Sequence, residues 1–272
     1  MDTPFSVLIS LYVTNDPFFF EQAMTSIFEQ TYPPTEVVLV IDGEKTDNQQ
    51  RVIDKFQKQY PDTLRIVQIN KNIGQGPALN EGLKHCSHEL VARMDTDDYS
   101  KADRFEKQIR LFNNNPSIDI ASSWVDEFYE SIDHVSSTRK VPEKHQQIKK
   151  YAQSRCPLNH PVVMFKKSKV IEAGGYMLLG KLDDYVLWMK MLKNGAIFHN
   201  IQESLLFFRL GKDAFKRRNN IKYAQSECQL QWFLYQQGMI NLVTMFSNIA
   251  IRFGVRILPA NWGNLIYRKL LR

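Results

Sequence analysis

The stretch "ELVARMDTDDYS", Glu89–Ser100, runs from an apolar segment straight into three acidic residues within four positions. Its segment "LVARM" is short and mostly apolar, which predicts a buried strand. Asp95, Asp97 and Asp98 then follow where such a strand would leave its sheet. An isolated acidic turn usually caps a helix or faces solvent. Three neighbouring carboxylates repel one another, and a bound divalent cation is the alternative that explains all of them.

Three similar apolar segments precede this one, "FSVLIS" at 5–10, "EVVLVIDG" at 36–43 and "LRIVQIN" at 64–70. A segment with helical spacing follows each, and such alternation predicts a parallel sheet flanked by helices. In open sheets of this kind, ligands bind beyond the carboxyl ends of the strands. Because Asp42 and Asp95 both stand at such ends, we expect them at the edge of the sheet where a ligand binds.

The second half of the chain is less regular. We predict strands in "IDIASSWVDEFY" at 118–129 and "NHPVVMFKK" at 159–167, and a helix in "DDYVLWMKMLKNG" at 183–195 that stops at Gly195. We expect one domain over residues 1–212, with a donor half at about 1–100 and an acceptor half at 101–212. Residues 213–272 form a predicted basic helical extension.

Composition narrows the class of protein. The chain has 272 residues, of which 43% are hydrophobic and 24% charged, and these values are typical of a globular protein. Its three cysteines lie far apart, so neither a disulfide framework nor a zinc site is expected, and a reducing cytosol fits best. We find no signal-peptide pattern and no apolar run of about 18 residues. A cytoplasmic location is therefore predicted.

The positive charge is concentrated at the C-terminal end. The net charge is +6, yet residues 205–272 alone contain eleven Lys and Arg against two acids. In residues 238–272, basic residues that include Arg252 alternate with aliphatic and aromatic ones. This pattern fits a basic amphipathic segment that binds anionic lipid, or a helix docked on the domain with its charges outward. The location expected is peripheral, on the inner face of the cytoplasmic membrane. Nucleic-acid binding is disfavoured, since exposed stacking aromatics do not accompany the charge.

Five segments resemble motifs of family 2 glycosyltransferases with the GT-A fold: "SVLISLY", "VVLVIDG", "NIGQGPALNEG", "ARMDTDD" and "LDDYVLWMKMLKNG". They occur in the family's order over about residues 4–212. The resemblance implies an α/β, Rossmann-like, mostly parallel central sheet flanked by helices. It also implies an inverting, Mn²⁺- or Mg²⁺-dependent transferase that moves a hexose or N-acetylhexosamine from a UDP-sugar. Its most similar members transfer sugars in bacterial O-antigen, capsule or lipopolysaccharide synthesis, and the acceptor implied is a lipid-linked or free oligosaccharide.

The resemblance also assigns roles on the donor side. Leu11 and Tyr12 would line the uracil pocket, and Asp42 would hydrogen-bond the base. Asn80 belongs to the block that abuts the nucleotide. Asp95 would approach the ribose and phosphates, while Asp97 would bind the metal. The third acid, Asp98, is expected to cap the helix that follows.

On the acceptor side, the resemblance makes Asp184 the general base and places Trp188, one turn later, at the acceptor pocket. Asp183 stands where the family has a longer Glu. His160 matches a histidine near the acceptor, although a lone histidine is more often structural. Possible phosphate contacts are Arg209, Arg217 and Arg218, for which a solvated basic face is the alternative.

Two other functions compete with this interpretation. One is an inactive sugar- or nucleotide-binding module on the same fold, against which the intact Asp97 and Asp184 argue. The other is a metal-dependent nucleotidyltransferase, which also uses paired carboxylates on an α/β sheet. The helix that begins with Asp183 and Asp184 fits transfer to a sugar better.

Overall fold

The computed structural model describes residues 3–177, 182–211 and 221–257. These residues contain one nine-stranded sheet. The strands are β1 (Phe5–Leu11), β2 (Glu36–Asp42), β3 (Leu64–Ile69), β4 (Leu90–Met94), β5 (Tyr99–Ser100), β6 (Ile120–Phe128), β7 (Val135–Arg139), β8 (Met164–Lys166) and β9 (Phe198–Arg209). The helices are α1 (Pro17–Phe28), α2 (Asp47–Gln59), α3 (Gln75–His85), α4 (Arg104–Asn114), α5 (His145–Tyr151), α6 (Lys167–Glu172), α7 (Asp183–Lys193), α8 (Ile221–Gln236) and α9 (Leu242–Ile257).

The first half of the sheet is parallel, in the order β3-β2-β1-β4. Val7 of β1 pairs with Val37 on one side and Ala92 on the other. All four strands coincide with the apolar segments of the sequence, and this prediction is confirmed. Because these strands run in one direction, their carboxyl ends meet at a single edge.

The second half of the sheet mixes directions. β8 runs antiparallel to both β4 and β6, while β6 and β9 are parallel. The strand predicted over 159–167 is shorter than expected, because residues His160–Val162 form a 3₁₀ helix and only Met164–Lys166 pair as β8. Pro161 has no backbone N–H to give to a sheet, which accounts for the late start.

The acids after β4 lead into a two-residue strand, not into a helix. β5 pairs antiparallel with β9, and α4 begins only at Arg104. The Asp98 carboxylate accepts a hydrogen bond from the backbone N–H of Arg209 on β9, at 2.9 Å. The expectation that Asp98 caps the following helix is therefore wrong, since the pairing of β5 with β9 brings a more distant partner to it.

Hydrophobic side chains fill both faces of the sheet. Phe20, Ile53 and Phe105, from α1, α2 and α4, lie on one face. Leu79 and Leu187, from α3 and α7, lie on the other. Local signals in the sequence fix where α1 begins and where α7 ends. The Asp16 side chain caps α1 ahead of Pro17, and Gly195 follows the end of α7 with a φ of +84°.

Helices α8 and α9 pack on the outer side of α7. Leu230 and Leu234 of α8 and Met245 of α9 join Tyr185 and Met189 of α7 in a third apolar cluster. Layers of protein thus cover α7 on two sides, because its other face packs on the sheet. Within the described ranges, no helix combines the length and apolar character that crossing a membrane requires.

The position of Arg252 on α9 differs from both sequence-based alternatives, because each placed this charge at the surface. Arg252 is buried, and its Nη1 donates to Glu227 Oε1 at 2.9 Å. It neither faces lipid nor points outward, because an acid on α8 pairs with it inside the protein. Of the other basic residues in the extension, Arg217 and Arg218 lie outside the described residues.

Candidate active site at the carboxyl ends of the parallel strands

The edge where β1, β2 and β4 end carries the expected donor-side residues. Leu11 is buried at the end of β1, and Tyr12, just after it, is exposed. Asp42 ends β2 and is buried. Its two carboxylate oxygens accept hydrogen bonds from the backbone N–H groups of Ile73 and Gly74, at 2.8 and 3.0 Å. Asp42 thereby fixes the loop that leads into α3.

Asp95, Asp97 and Asp98 form a compact acid cluster beyond β4. Each offers a carboxylate oxygen, and the three oxygens lie within 4.8 Å of one another. Asp97 is exposed, Asp95 is half-buried and Asp98 is buried. One oxygen of Asp98 accepts from Arg209, while the buried Oδ2 has no hydrogen-bond partner among the described residues. A buried carboxylate oxygen without a partner is costly, and a bound cation is one way to satisfy it.

The proton affinities of the cluster reflect this crowding. Asp97 reaches solvent, but the surrounding protein removes part of the water around its carboxyl, and Asp95 adds like-charge repulsion. Together these effects raise the pKa of Asp97 to about 6. Burial, reinforced by Asp97 and Asp95, raises the pKa of Asp98 well above its usual value. The cluster holds more negative charge than the neighbouring protein groups stabilise.

The residues present fit a divalent metal. Three carboxylates supply hard oxygen donors of the kind that Mg²⁺ and Mn²⁺ prefer. Asp98, whose Oδ2 has no hydrogen-bond partner among the described residues, belongs to this donor set. A cation at the cluster would relieve the repulsion and give that oxygen a partner. Asp97, the exposed member, is the one open to a metal arriving with a nucleotide.

Arg93 is a site residue that the sequence interpretation did not assign. It lies within β4 and is 1% exposed, and its guanidinium forms an ion pair with Asp95. Its Nε and Nη1 have no hydrogen-bond partners among the described residues. The signal was present in "LVARM", where a charged residue interrupts an otherwise apolar strand. Such a residue needs a buried partner, and Asp95 is that partner.

Arg209 braces the acid cluster from the other side. Its Nε donates to the backbone carbonyl of Asp97 and its Nη2 to Gln22 Oε1, both at 2.9 Å. The guanidinium lies over the rings of Phe19 and Phe128, at 3.8 and 4.6 Å from their centroids. The structure thus places Arg209 at the predicted site, where it holds the loop that carries the acids. Its contact with a phosphate stays a prediction.

The first turn of α7 meets the first turn of α3. A Cβ atom at Gly76 would come within 3.0 Å of Asp183 Oδ2, so a residue without a side chain allows this approach. Gln75, next to Gly76, donates from Nε2 to Asp95 Oδ1 at 3.2 Å. The predicted acceptor-side acids are therefore brought to the acid cluster by α3. Neither the spacing nor the composition of the sequence showed this contact.

Asp184 begins α7 beside Asp183. Its Oδ1 accepts from the backbone N–H of Tyr185 at 2.8 Å, and Cys156 Sγ lies 3.9 Å from its Oδ2. Burial, with Asp184 nearby, raises the pKa of the Cys156 thiol, which therefore stays protonated and donates. The positive end of the α7 dipole favours a negative charge at this position. A carboxylate held in this way can accept a proton.

His160 and Trp188 lie side by side beneath this region, with ring centroids 5.9 Å apart. Burial, with the positive charge of Arg93, lowers the pKa of His160 well below its usual value, so the ring is neutral at pH 7. Its Nε2 lies 3.0 Å from Tyr176 Oη. Trp188 is fully buried, so it supports His160 from the core and has no surface open to an acceptor.

Asn80 joins the two halves of the chain. Its Nδ2 donates to the carbonyl of Tyr176 and its Oδ1 accepts from the N–H of the same residue, both at 2.8 Å. A Cβ atom at Gly175 would lie 2.4 Å from Asn80 Oδ1, and its φ is +66°. Gly is therefore required there. The structure shows Asn80 positioning Tyr176, and direct contact with a nucleotide stays a prediction.

An α/β sheet with an acid cluster beyond its fourth strand, and paired acids at the start of a facing helix, is the architecture of a nucleotide-sugar transferase. The family model "Glycosyl transferase family 2" matches residues 6–170. The chain belongs to this family and is a glycosyltransferase.

Two relatives match the chain along almost its whole length. An Escherichia coli protein named UDP-Gal:alpha-D-GlcNAc-diphosphoundecaprenol beta-1,3-galactosyltransferase is 39% identical over 272 residues, which cover 100% of this chain and 98% of that protein. The amylovoran biosynthesis glycosyltransferase AmsE of Erwinia amylovora is 36% identical, over 97% of this chain and 98% of that one.

Solved structures share the fold at low sequence identity. The mannosyltransferase PcManGT from Pyrobaculum calidifontis matches with a TM-score of 0.68 at 18% identity, covering 99% of this chain and 74% of that one. TarS of S. aureus, residues 1–349, matches with a TM-score of 0.61 at 17% identity, over 97% of this chain and 83% of that one. These matches confirm the predicted GT-A fold.

Proposed function

We propose that this glycosyltransferase moves a hexose or N-acetylhexosamine from a UDP-sugar to a lipid-linked oligosaccharide, with inversion at the anomeric carbon. The product would be an intermediate of a bacterial surface polysaccharide such as O-antigen, capsule or lipopolysaccharide. The observation that carries this proposal is the contact chain from Asp95 through Gln75 and Gly76 to Asp183. It brings the acid cluster next to the two acids in the first turn of α7.

The donor binds beyond β1, β2 and β4 in this proposal. The exposed Tyr12 and the buried Leu11 offer a surface for the base, and Asp42 shapes the loop opposite it. Asp95, held by Arg93, faces the ribose and phosphates. The E. coli relative uses UDP-Gal according to its name, so UDP-galactose is the first donor to test.

Mn²⁺ or Mg²⁺ is the proposed cofactor, held by Asp97 within the acid cluster. When bound, the ion supplies positive charge that stabilises the departing diphosphate. Arg209 holds the loop that carries Asp97, because its Nε donates a hydrogen bond to the backbone carbonyl of Asp97. Arg93 orients Asp95 from below. These two arginines keep the carboxylates in place before the metal and nucleotide arrive.

Asp184 is the proposed general base. It would take the proton from the acceptor hydroxyl as that oxygen attacks the anomeric carbon and UDP leaves from the opposite face. Asp183, against α3, would fix the angle at which α7 presents Asp184. The neutral His160, hydrogen-bonded with Tyr176, would contact the acceptor without competing for its proton.

The acceptor and the location are proposed from the relatives. The E. coli protein acts on a GlcNAc linked through a diphosphate to undecaprenol, as its name states. An acceptor of that kind stays in a membrane, and an enzyme that extends it must reach the headgroup level. The enzyme would thus be peripheral on the inner face of the cytoplasmic membrane, in contact with anionic lipid.

The test is acceptor-dependent release of UDP. The full chain is incubated with Mn²⁺ and a panel of UDP-sugars, with and without N-acetylglucosamine linked through a diphosphate to a short alkyl chain. We expect this acceptor to stimulate UDP release from one donor, and a product of inverted configuration by mass spectrometry and NMR. Stimulation by no acceptor would favour the inactive-module alternative. Release of sugar 1-phosphate, which is left when the uridylyl group of a UDP-sugar is transferred, would favour a nucleotidyltransferase.

A further inference from the structure

Helix α9 buries Met245, but it also buries two strongly polar side chains while several large apolar side chains face solvent. Asn248 and Arg252 face inward and are each only 7% exposed. Val243, Phe246 and Phe253 face outward and are 75%, 60% and 44% exposed. A surface helix in a water-soluble domain usually exposes its polar side chains and buries its apolar ones. Helix α9 contains further apolar residues that could have been buried in place of Asn248 and Arg252.

A polar seam between α8 and α9 fixes this orientation. Glu227 and Gln231 lie one turn apart on α8, and Asn248 and Arg252 lie one turn apart on α9. Arg252 Nη1 donates to Glu227 Oε1 at 2.9 Å, and Asn248 Nδ2 donates to Gln231 Oε1 at 2.8 Å. The same two α9 side chains donate to backbone carbonyls within residues 153–154. Four contacts therefore set the rotation of α9 about its axis.

The outward residues form a continuous surface, which we call the outer stripe. Its centre follows one helical face with spacings of three, four and three residues, and two further exposed side chains flank it. The members are Val243, Phe246, Ala250 and Phe253, flanked by Leu242 and Ile251. Exposed apolar surface of this size on one helix marks a site of interaction.

Basic residues of the C-terminal segment and of α5 indicate which partner would bind the outer stripe. Residues 258–272, which follow α9, contain Arg268, Lys269 and Arg272 and no acid. Lys149 and Lys150 are exposed on α5, just before the segment on which α9 packs. A protein that combines basic side chains with an exposed apolar helical face is suited to anionic headgroups over an acyl layer. A second copy of the chain would bring like charges together.

We propose that the outer stripe is the surface by which this enzyme lies on a membrane that contains anionic phospholipid. The stripe enters the boundary of the acyl chains, and Lys149 and Lys150 contact the headgroups. The proposal deepens the proposed function, and it rests on that function for the lipid-linked acceptor. Since α8 and α9 pack on Tyr185 and Met189, bound membrane would lie close to the helix that carries Asp184.

The test compares three forms of the full chain in vesicle co-sedimentation. The stripe variant carries Val243→Ser, Phe246→Ser and Phe253→Ser. The matched control carries Tyr129→Ser, Val135→Ser and Ile171→Ser, which remove three other exposed apolar side chains. All three forms are mixed with vesicles of phosphatidylcholine alone or with added phosphatidylglycerol, at low and high salt.

We expect the wild type and the control to sediment with phosphatidylglycerol vesicles at low salt, and less so at high salt. The stripe variant should lose at least about tenfold in affinity, because each apolar side chain contributes to insertion. Lys149→Gln and Lys150→Gln should each cost about fivefold at low salt only. All variants should release UDP from the UDP-sugar at the wild-type rate.

Three results would overturn the proposal. These are a wild type that stays in the supernatant, a stripe variant that binds as tightly as the control, and a wild-type dimer that the stripe substitutions convert to a monomer without vesicle binding. The last result would make a second copy the partner. A failure of the proposed function is separate, since it would appear as absence of transfer to the short-chain acceptor while vesicle binding persists.

Discussion

The acid cluster beyond β4 and the polar seam between α8 and α9 both place charge inside the protein, but only one of them is balanced. In the seam, one acid meets one base, as Arg252 pairs with Glu227. In the cluster, three carboxylates lie within 4.8 Å, and Arg93 pairs with Asp95 alone. Asp98 Oδ2 keeps no partner among the described residues.

The difference separates a structural joint from a ligand site. A buried pair of opposite charges is neutral as a whole, so it can fix an orientation without a bound ion, even though Arg252 Nε and Gln231 Nε2 have no hydrogen-bond partner among the described residues. In the acid cluster, burial and the excess of negative charge raise the pKa of Asp97 and Asp98, and this excess is relieved by protonation or by a bound cation. We therefore expect substitutions in the acid cluster to change activity and the response to a metal ion, and substitutions in the seam to change stability alone.

The largest effect is expected from loss of the metal position. Asp97→Ala should lower transfer by at least about a thousandfold, because the charge on the departing diphosphate would be left without several kcal/mol of stabilisation. EDTA should do the same to the wild type. Thermal stability without ligand should not fall, since the substitution removes repulsion from the cluster.

The assay is UDP release with acceptor, with the exposed Asp133→Ala as control. Full activity in EDTA would show that transfer does not need a metal ion at the acid cluster. The distinction between a metal site and a structural ion pair would then be wrong.

Next in size is the loss of the proposed base. Asp184→Asn should reduce turnover by roughly 10²–10⁴-fold, the usual contribution of general-base catalysis, while UDP affinity measured by calorimetry stays nearly unchanged. Asp183→Asn should do less. Thermal unfolding should show the seam intact in both. If Asp184→Asn lost UDP affinity and saturating donor restored its rate, Asp184 would belong to the donor site.

The seam should respond to substitution in stability. Arg252→Met removes the positive charge that pairs with the buried Glu227 and should lower the free energy of unfolding by about 3–5 kcal/mol. Adding Glu227→Leu should recover most of the loss, since apolar residues of similar volume can replace a buried pair. Urea titration measures both, and failure of the double variant to recover would show that the seam depends on its hydrogen bonds with residues 153–154.

Arg93→Met sharpens the contrast. It should also destabilise the chain, because it removes the partner of Asp95. Here, however, Mn²⁺ with UDP should restore more thermal stability than the wild type gains from the same addition, whereas Arg252→Met should gain no more than the wild type. Equal gains for both arginine variants would mean that Arg93 does not act on the acid cluster.

The smallest effect is a pH dependence of the metal-free protein. Asp97 has its pKa raised to about 6 in the fold, against about 3.9 when unfolded. The folded protein holds this proton more tightly, so the contribution of Asp97 to stability is fully present below about pH 4 and is lost as pH rises through about 6. The thermal gain from Mn²⁺ with UDP should accordingly be larger at neutral pH than at pH 5. Asp97→Asn should remove this difference.

Much of the donor edge was predictable because its signals are local. Apolar segments that end in Asp42 and Asp95 place both at strand ends, and parallel strands then bring them together. The start of α7 at Asp183 followed in the same way from its helical spacing. The roles of the paired acids came from resemblance to the family, which the comparisons confirm at the level of the family.

Other features depend on partners far apart in the chain. Asp98 meets Arg209 across 111 positions, and Asn80 meets Tyr176 across 96. The pattern of α9 predicted an amphipathic helix, but the expectation that Arg252 faces lipid or solvent was wrong. Periodicity shows which residues share a face, and only the position of Glu227 on α8 shows which face turns inward.

The sequence by itself determined the alternating α/β order, the acids at the strand ends and the basic character of the C-terminal segment. These properties depend on residues a few positions apart, whose spacing sets strand, turn and helix. The tertiary structure alone decided that Arg93 supports Asp95, that α3 joins the acid cluster to Asp183, and that α9 turns its apolar side outward. Each depends on contacts between distant segments, because the charge and burial of a side chain are balanced in space and not along the chain.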